Sequence, residues 1–255
     1  DGSQRSLQLT SANIVETPVN RTAVLTPASG GKVGYLLLNT FSPFSSEKAI
    51  SDAIIALNAQ GVTDLVLDLR YNGAGLLAVA SQLAWQITGP ARTSGHIFDR
   101  LQFNAAAGST NPVTGGANTP TPFYTTGLGF SLTNGTALQS LNLPKVYVLT
   151  TGSTCSASEA VINGLRGVNV DVVQIGTTTC GKPYGFFPED NCGETYFSIQ
   201  FQGVNDMGFG AYADGFAAAN SPAGCKVAIR LMATGSPILA AFSYQDWASA
   251  ASNGT

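Results

Sequence analysis

The sequence predicts an α/β fold with a mostly parallel sheet flanked by helices. Two stretches of the chain each contain an apolar strand pattern, a segment with helical spacing of apolar residues and a second apolar strand pattern. The first stretch has these segments at residues 32–39, 45–61 and 63–70, and the second has them at residues 145–150, 156–167 and 170–175. Strands that are apolar on both faces are typical of parallel sheets covered by helices, so each stretch predicts a β-α-β unit.

The same patterns predict the other elements. Ser45 or Ser46 is a suitable N-cap for the first helix, and Gly61 is suited to end it. The further predicted elements are a helix at residues 75–87, a strand at 96–103, additional C-terminal strands at 195–202 and 225–232, and a helix that opens at Pro237.

Composition divides the chain into two parts. Residues 1–32 are predicted to be an N-terminal segment that follows an upstream module, and residues 33–255 form the predicted core. Within the core, residues 104–142 are rich in Gly, Thr, Pro and Asn, which makes them too irregular for a core element and too long for a simple connection. We interpret this segment as a surface excursion or a lid.

Charge and hydropathy exclude two classes of partner. Only 11% of the 255 residues are charged, and the formal net charge is −3, so the chain lacks the basic stripe that binds nucleic acid. No run of about 18 apolar residues is present, so no transmembrane segment is expected.

The four cysteines point to an oxidising compartment. They have no CxxC spacing and no histidine close by in sequence, so no metal site is predicted. We favour the pairs Cys155 with Cys180 and Cys192 with Cys225, and an extracytoplasmic location, periplasmic or secreted. Four reduced thiols in a cytosolic protein are the alternative.

Three segments whose residue types suit catalysis or ligand binding each follow a predicted strand. They are residues 68–75 (DLRYNGAG), 156–159 (SASE) and 176–182 (GTTTCGK). Turns after strands are where open α/β sheets place their ligands. The third segment is nearly a phosphate-binding loop, but Pro183 replaces the hydroxyl that binds magnesium, so nucleotide binding is disfavoured and no cofactor is expected.

The segment 156–159 has two interpretations. As an S-x-x-E capping box, Ser156 and Glu159 would begin a helix by exchanging hydrogen bonds. The same turn also sets a serine hydroxyl beside free backbone N–H groups at the positive end of a helix, which suits a nucleophile whose attack creates an oxyanion.

The three segments, in this order, resemble peptidase family S41, which includes the tail-specific and C-terminal processing proteases. The family pattern is DLR-x-N-x-GG, then SASE, then G-x-x-T-x-GK, and the resemblance covers about residues 33–187. It implies a ClpP/crotonase-like layered core, a protein or peptide substrate and a PDZ domain upstream of the core. The implied function is a serine endopeptidase acting on unfolded or C-terminal protein tails.

The resemblance also implies the roles of individual residues. Ser156 would be the nucleophile, Lys182 the general base, and the backbone N–H groups of Gly75 and Ala157 the oxyanion donors. A lysine has a pKa of about 10.4, so desolvation must lower it to near 7 for this role. The wall expected to exclude water consists of Pro183, Tyr184, Phe186 and Phe187.

Two departures from the family pattern leave questions open. Phe186 stands where many members have a glutamine that orients the lysine, and Gln200 is our candidate orienting residue, with Gln202 and Tyr184 as alternatives. Ala74 replaces the first glycine of the usual pair, where a positive φ would be strained. These departures motivate the alternative function, a catalytically inactive module that binds peptides.

The only histidine of the chain is His96, in the strand predicted at residues 96–103. A serine–histidine pair would have to use it, but no partner motif accompanies it, so we expect an ordinary strand or surface residue.

Overall fold

The computed structural model describes residues 8, 10, 16–28 and 30–218. In chain order its strands are β1 (Val19–Leu25), β2 (Val33–Leu38), β3 (Asp64–Asp68), β4 (Ile97–Gln102), β5 (Thr121–Pro122), β6 (Lys145–Thr150), β7 (Asp171–Gly176), β8 (Tyr184–Gly185), β9 (Glu189–Asn191), β10 (Glu194–Tyr196) and β11 (Phe201–Val204). Its helices are α1 (Ser46–Ala59), α2 (Leu77–Thr88), α3 (Pro90–Thr93) and α4 (Ala157–Gly167), with a 3₁₀ turn at Ala105–Ala107.

The main sheet confirms the predicted α/β class. Its strand order is β1-β2-β3-β6-β7, and β2, β3, β6 and β7 are parallel, as the two β-α-β patterns required. Alternate strand residues such as Leu36, Leu67 and Val148 pack with the apolar sides of α1, α2 and α4 in the main core. The first helix begins at Ser46 with Ser45 as its N-cap, and Gly61, with φ of 67°, follows its C-cap.

The sheet begins earlier than the predicted core. The predicted core begins at Val33, but β1 pairs antiparallel with β2 from Val19 to Leu25, so these residues are an edge strand of the same sheet. The sequence of β1 contains Asn20, Arg21 and Thr22, so it lacks the continuous apolar run that predicts the other strands. These polar residues fit a strand that is covered on one face only.

The predicted C-terminal strand at residues 195–202 is divided in the structure. Its first residues lie in β10, which forms a hairpin with β9, and its last residues lie in β11, in a separate sheet of order β5-β4-β11-β8. Phe197 and Ile199, between the two strands, are exposed, so the apolar pattern there does not mark a buried strand. The predicted elements at 225–232 and from Pro237 lie outside the described residues.

The smaller sheet is joined to the main core through α4. A Cβ added to Gly164 would lie 2.5 Å from the ring of Phe98 on β4, so only glycine permits this close packing of helix and strand. This contact packs β4 of the smaller sheet against α4. Among the residues that the structure describes, no helix is long and apolar enough to cross a membrane.

The segment 104–142 is fixed to α1 by a buried carboxylate. Glu47, which is 2% exposed, accepts hydrogen bonds from the N–H groups of Leu128 (2.6 Å), Ser131 (2.8 Å) and Leu132 (2.8 Å), and from the Gln82 amide (2.9 Å). Burial alone would raise the pKa of Glu47, but these donors lower it below its ordinary value. A lid function for this segment stays a prediction.

We expect Glu47→Gln to loosen this segment. The glutamine NH₂ group would face backbone N–H groups that now donate to the carboxylate, and those N–H groups would lose their acceptor. The unfolding free energy should therefore fall by about 2 kcal/mol. The lowered pKa means that the carboxylate stabilises the fold fully above its ordinary pKa of about 4.3, and this contribution is lost as the pH falls through the lowered value. Hydrogen exchange of the Leu128, Ser131 and Leu132 amides measures the effect, with the exposed Asp52→Asn on α1 as control. Equal protection in both variants would contradict it.

Candidate active site

Sheet order brings the three motif loops together. The loops leave the carboxyl ends of β3, β6 and β7, which are neighbours in the parallel sheet. A cavity of about 300 Å³ lies there, and its lining includes Gly75, Ser156, Ala157 and Lys182. Four residues predicted from three separate motifs therefore surround one space. Gln200 is not part of the lining described for this cavity.

Ser156 has a strained backbone. It is the N-cap of α4 and half-buried, with φ of 55° and ψ of −113°, a region that non-glycine residues rarely occupy. Strain of this kind persists only where surrounding contacts impose it, and it is concentrated at functional sites. The turn thus holds the serine side chain at the cavity at a cost in stability.

The buried carboxylate of Glu159 imposes this conformation and links it to the lysine loop. Its Oε2 accepts from the N–H of Ser156 (3.0 Å) and the N–H of Lys182 (2.8 Å). Its Oε1 accepts from the N–H of Gly181 (2.8 Å) and the hydroxyl of Thr179 (2.6 Å). Glu159 is 0% exposed, so one desolvated charge joins the turn of the candidate nucleophile to the backbone of the candidate base.

Asn72 joins the glycine turn to the serine turn. Its carbonyl accepts from the N–H of Cys155 (3.0 Å) and from the hydroxyl of Ser158 (3.0 Å), and its side-chain amide donates to the carbonyl of Leu38 (3.0 Å). Asn72 is fully buried, which makes these bonds strong determinants of the loop geometry.

Two backbone N–H groups remain available at the cavity. Ala157 is the first residue of α4, where no carbonyl within the helix can accept its N–H. Within residues 30–218, the N–H of Gly75 has no hydrogen-bond partner. The positive φ of the turn falls on Gly75 (143°), beside Phe41, and not on Ala74, so the replacement of the family glycine by Ala74 causes no strain of the kind we anticipated.

The Lys182 side chain is half-buried and reaches the same cavity. Its amine lies 5.7 Å from the centre of the Phe186 ring, and Pro183 and Tyr184 line the space beside it. Phe187 packs instead on Phe201, at 5.5 Å between ring centres. In the described part of the chain, no hydrogen bond joins the Lys182 amine to the Ser156 hydroxyl, and resting enzymes often have such looser geometry.

The candidate orienting residues have other partners. The amide oxygen of Gln200 accepts from the N–H of Phe187 (2.8 Å), and the amide nitrogen of Gln202 donates to the carbonyl of Gly210 (2.6 Å). A role for Gln200 toward the lysine stays a prediction. His96 lies near the start of β4 with its Nδ1 2.7 Å from Asp206, which agrees with the expected surface position.

A disulfide connects the two candidate loops. Cys155, next to Ser156, is bonded to Cys180, two residues before Lys182, with 5.3 Å between the Cα atoms. The first predicted pair is therefore confirmed. Cys192 is exposed, and its predicted partner Cys225 lies outside the described residues. No group of three or more His, Cys, Asp or Glu that would hold a metal ion occurs in the described ranges.

A family model for peptidase family S41 matches residues 32–186, more than half of the chain. The chain belongs to this family. A putative S41 protease from Bacteroides fragilis is similar over 81% of this chain and 51% of its own, with 29% identity and a TM-score of 0.67. These similarities confirm the predicted fold class.

Two further relatives are C-terminal processing proteases. The photosystem II D1 C-terminal processing protease has the same fold, with 22% identity and a TM-score of 0.59 over 84% of this chain and 50% of its own. The chloroplastic C-terminal processing peptidase of Tetradesmus obliquus is 38% identical over 88 residues, which are 31% of this chain and 19% of that protein. The similar regions thus span about half of the two solved structures and a smaller part of the chloroplastic relative.

Sequence reasoning missed two acids at the candidate site. Glu159 was identified only as a capping residue, although it is the one charged residue in the apolar stretch 157–165, a signal for a buried carboxylate. Asp99 was counted as part of a strand, yet it lines the cavity and is 5% exposed. Burial raises the pKa of Asp99 to about 7. Tyr212 also lines the cavity, and its burial, with the nearby charges of Asp99 and Glu159, raises the pKa of its hydroxyl.

We expect Glu159→Gln to uncouple the two loops. The glutamine amide keeps one oxygen acceptor, but its NH₂ group faces N–H and O–H donors that the second carboxylate oxygen accepted from. The unfolding free energy should therefore fall by about 2–4 kcal/mol. Peptide hydrolysis should fall with it, because the Ser156 turn and the Lys182 loop lose their shared anchor. Denaturant unfolding and peptide kinetics measure the two effects, with Glu189→Gln, an exposed acid, as matched control. A fully stable and active Glu159→Gln would show that the carboxylate is dispensable.

We expect reduction of the Cys155–Cys180 bond to destabilise the site. A link that closes a loop of this size contributes about 3 kcal/mol. A phosphine reductant should lower the melting temperature of Cys192→Ser, in which Cys155–Cys180 is the bond left to reduce, and should leave that of the triple variant Cys155→Ser/Cys180→Ser/Cys192→Ser unchanged. The prediction fails if the triple variant responds to reductant as Cys192→Ser does.

Proposed function

We propose that this S41 family member is a serine endopeptidase that cleaves unfolded or C-terminal protein tails. The observation that carries the proposal is the single cavity shared by Ser156, Lys182 and two backbone N–H groups, Gly75 and Ala157. The strained serine turn supports it further, since a residue with only a capping role has no need of such a conformation.

In the proposed reaction, the Ser156 oxygen attacks the peptide carbonyl carbon while the Lys182 amine takes the hydroxyl proton. The N–H groups of Gly75 and Ala157 stabilise the oxyanion of the tetrahedral intermediate. Collapse of the intermediate breaks the peptide C–N bond, and Lys182 returns the proton to the leaving amine. Water, deprotonated by Lys182, then hydrolyses the acyl-enzyme and restores Ser156.

The surroundings leave the Lys182 amine without a fixed partner. The amine lies 5.7 Å from the centre of the Phe186 ring, and Pro183 and Tyr184 lie beside it in the lining of the cavity. Within residues 30–218, no salt bridge or side-chain hydrogen bond holds this amine, so it is available to the Ser156 hydroxyl. Gln200 stays our candidate for orienting it, which requires a rearrangement that frees its amide from Phe187.

The proposal includes a protein or peptide substrate and an extracytoplasmic location. The Cys155–Cys180 disulfide supports the location, because such bonds persist in oxidising compartments. Exposed apolar side chains close to the lysine loop, Tyr184, Phe186 and Phe197, suit an extended, unfolded chain. Recruitment of the tail by an upstream PDZ domain is part of the proposal by similarity to the family.

Ser156→Ala and Lys182→Ala should each lower the kcat/KM for an unfolded protein substrate by roughly 10⁴-fold or more. Each substitution removes a group that the proposed chemical step requires. Folding and substrate binding should persist, because only one side chain at the surface of the cavity is shortened. The matched controls are Ser153→Ala, an exposed serine in the same turn, and Lys48→Ala, a surface lysine, together with His96→Ala. Turnover that survives in either Ser156→Ala or Lys182→Ala would overturn the assignment.

A phosphonate probe separates the enzyme from the alternative, an inactive peptide-binding module. Stoichiometric labelling of Ser156, absent in Ser156→Ala and weakened in Lys182→Ala, supports an activated nucleophile. Peptide binding without labelling at any pH would support the binding module.

A further inference from the structure

Asp99 is a buried acid that the proposed chemistry does not use. It lies on β4, is 5% exposed and lines the cavity that also contains Ser156. Its Oδ2 is fully buried and has no hydrogen-bond partner within residues 30–218. Buried polar atoms are nearly always paired, because an unpaired one costs free energy. No hydrogen bond to Oδ1 is present within residues 30–218 either, and Oδ1 is not one of the fully buried atoms. A ligand in the cavity would therefore meet the Asp99 carboxyl at Oδ1.

Gly203 keeps the carboxyl accessible from the cavity. It lies on β11, beside β4, and a Cβ at this position would be 2.6 Å from Oδ1 of Asp99. Gly203 and Asp99 both line the cavity, and the absence of a side chain at Gly203 leaves room for the Asp99 carboxyl. Any larger residue at position 203 would displace Asp99.

The other walls of the cavity are largely apolar or aromatic. They include Leu77, Ala160, Phe201 and Tyr212. An arginine or lysine side chain matches a cavity with apolar walls and one carboxyl group, because its methylene groups pack on apolar surface and its end carries the charge. Aromatic rings also attract a cation through their faces. A cavity of about 300 Å³ is at the small end of ligand sites and suits one side chain.

We propose that Asp99 binds the guanidinium or ammonium group of an arginine or lysine side chain next to the scissile bond. The cavity beside Ser156 is then a side-chain subsite that selects basic residues within unfolded tails. This inference rests on the proposed peptidase function for its meaning, but its binding step is measurable without turnover.

Ionisation of Asp99 gives the subsite a pH dependence. Burial raises the pKa of this carboxyl to about 7, so the empty site carries little charge at pH 6 and most of it at pH 8. A cation should bind more tightly as the pH rises through this range, because a carboxylate attracts it and an uncharged acid does not. The other titratable groups facing the site are Lys182, Tyr184 and Tyr212 in the lining, and Glu159 behind it. Asp99→Asn separates their titration from that of Asp99.

The kinetic test compares peptides that differ only by arginine or citrulline, its uncharged isostere, on either side of the cleaved bond. We expect kcat/KM at pH 8 to favour arginine by at least about tenfold at one position, equivalent to about 1.4 kcal/mol. In Asp99→Asn the preference should fall below about twofold, while Asp52→Asn, an exposed acid, keeps it. Equal rates for both peptides in the wild type, or an equal loss for both in Asp99→Asn, would overturn the proposal.

The binding test uses labelled arginine and citrulline peptides with Ser156→Ala, read by fluorescence anisotropy. The arginine peptide should bind about tenfold more tightly, and the difference should disappear in Ser156→Ala/Asp99→Asn and grow from pH 6 to pH 8 in Ser156→Ala. Gly203→Ala is a second variant, expected to weaken arginine binding by displacing the carboxyl. Equal affinity of Ser156→Ala for the two peptides would overturn the proposed subsite.

The two proposals fail in different ways. An arginine preference in binding without any hydrolysis by the wild type would reject the peptidase and keep the subsite. Hydrolysis that depends on Ser156 and Lys182 but ignores the arginine would reject the subsite and keep the peptidase.

Discussion

The site depends on one buried charge. Glu159 receives hydrogen bonds from the N–H groups of Ser156, Gly181 and Lys182 and from the Thr179 hydroxyl. Four donors around one desolvated carboxylate offset the cost of burying it, and each would be left unpaired if it were removed. The same bonds fix the Ser156 backbone at a positive φ and set the start of the Lys182 side chain. A single side chain thus connects the backbones of the two candidate catalytic residues.

Parallel strand order and two further links hold the same loops close together. The loops after β6 and β7 leave adjacent strands in the same direction, so only a short distance separates them, and the Cys155–Cys180 bond and Asn72 remove most of the remaining freedom. The loop after β3 joins them through Asn72, and its Gly75 lines the same cavity as Ser156. The strained geometry of Ser156 is stable because rigid neighbours on both sides determine it.

Local pattern made the main elements and the position of four candidate site residues predictable. The strands β2, β3, β6 and β7 and their helices are apolar over whole segments, and Ser156, Lys182, Gly75 and Ala157 lie in motifs next to them. The strand β1 and the break between β10 and β11 were missed because pairing with distant strands, rather than local hydrophobicity, determines them. The role of Glu159 and the place of Asp99 depend on contacts with residues far along the chain, which no single segment displays.

The contrast between these two buried acids bears on function. Glu159 has four donors, and its burial stabilises the loops around it, whereas Asp99 has an oxygen without any partner in residues 30–218 and a raised pKa. A purely structural position would be better filled by an apolar residue or a paired amide, because either avoids the cost of an unpaired carboxyl. The cost is offset when a cation enters the cavity, since it forms charge-assisted hydrogen bonds with the carboxylate. A fold that keeps Gly203 open beside Asp99 therefore trades stability of the empty site for selective binding of the occupied one.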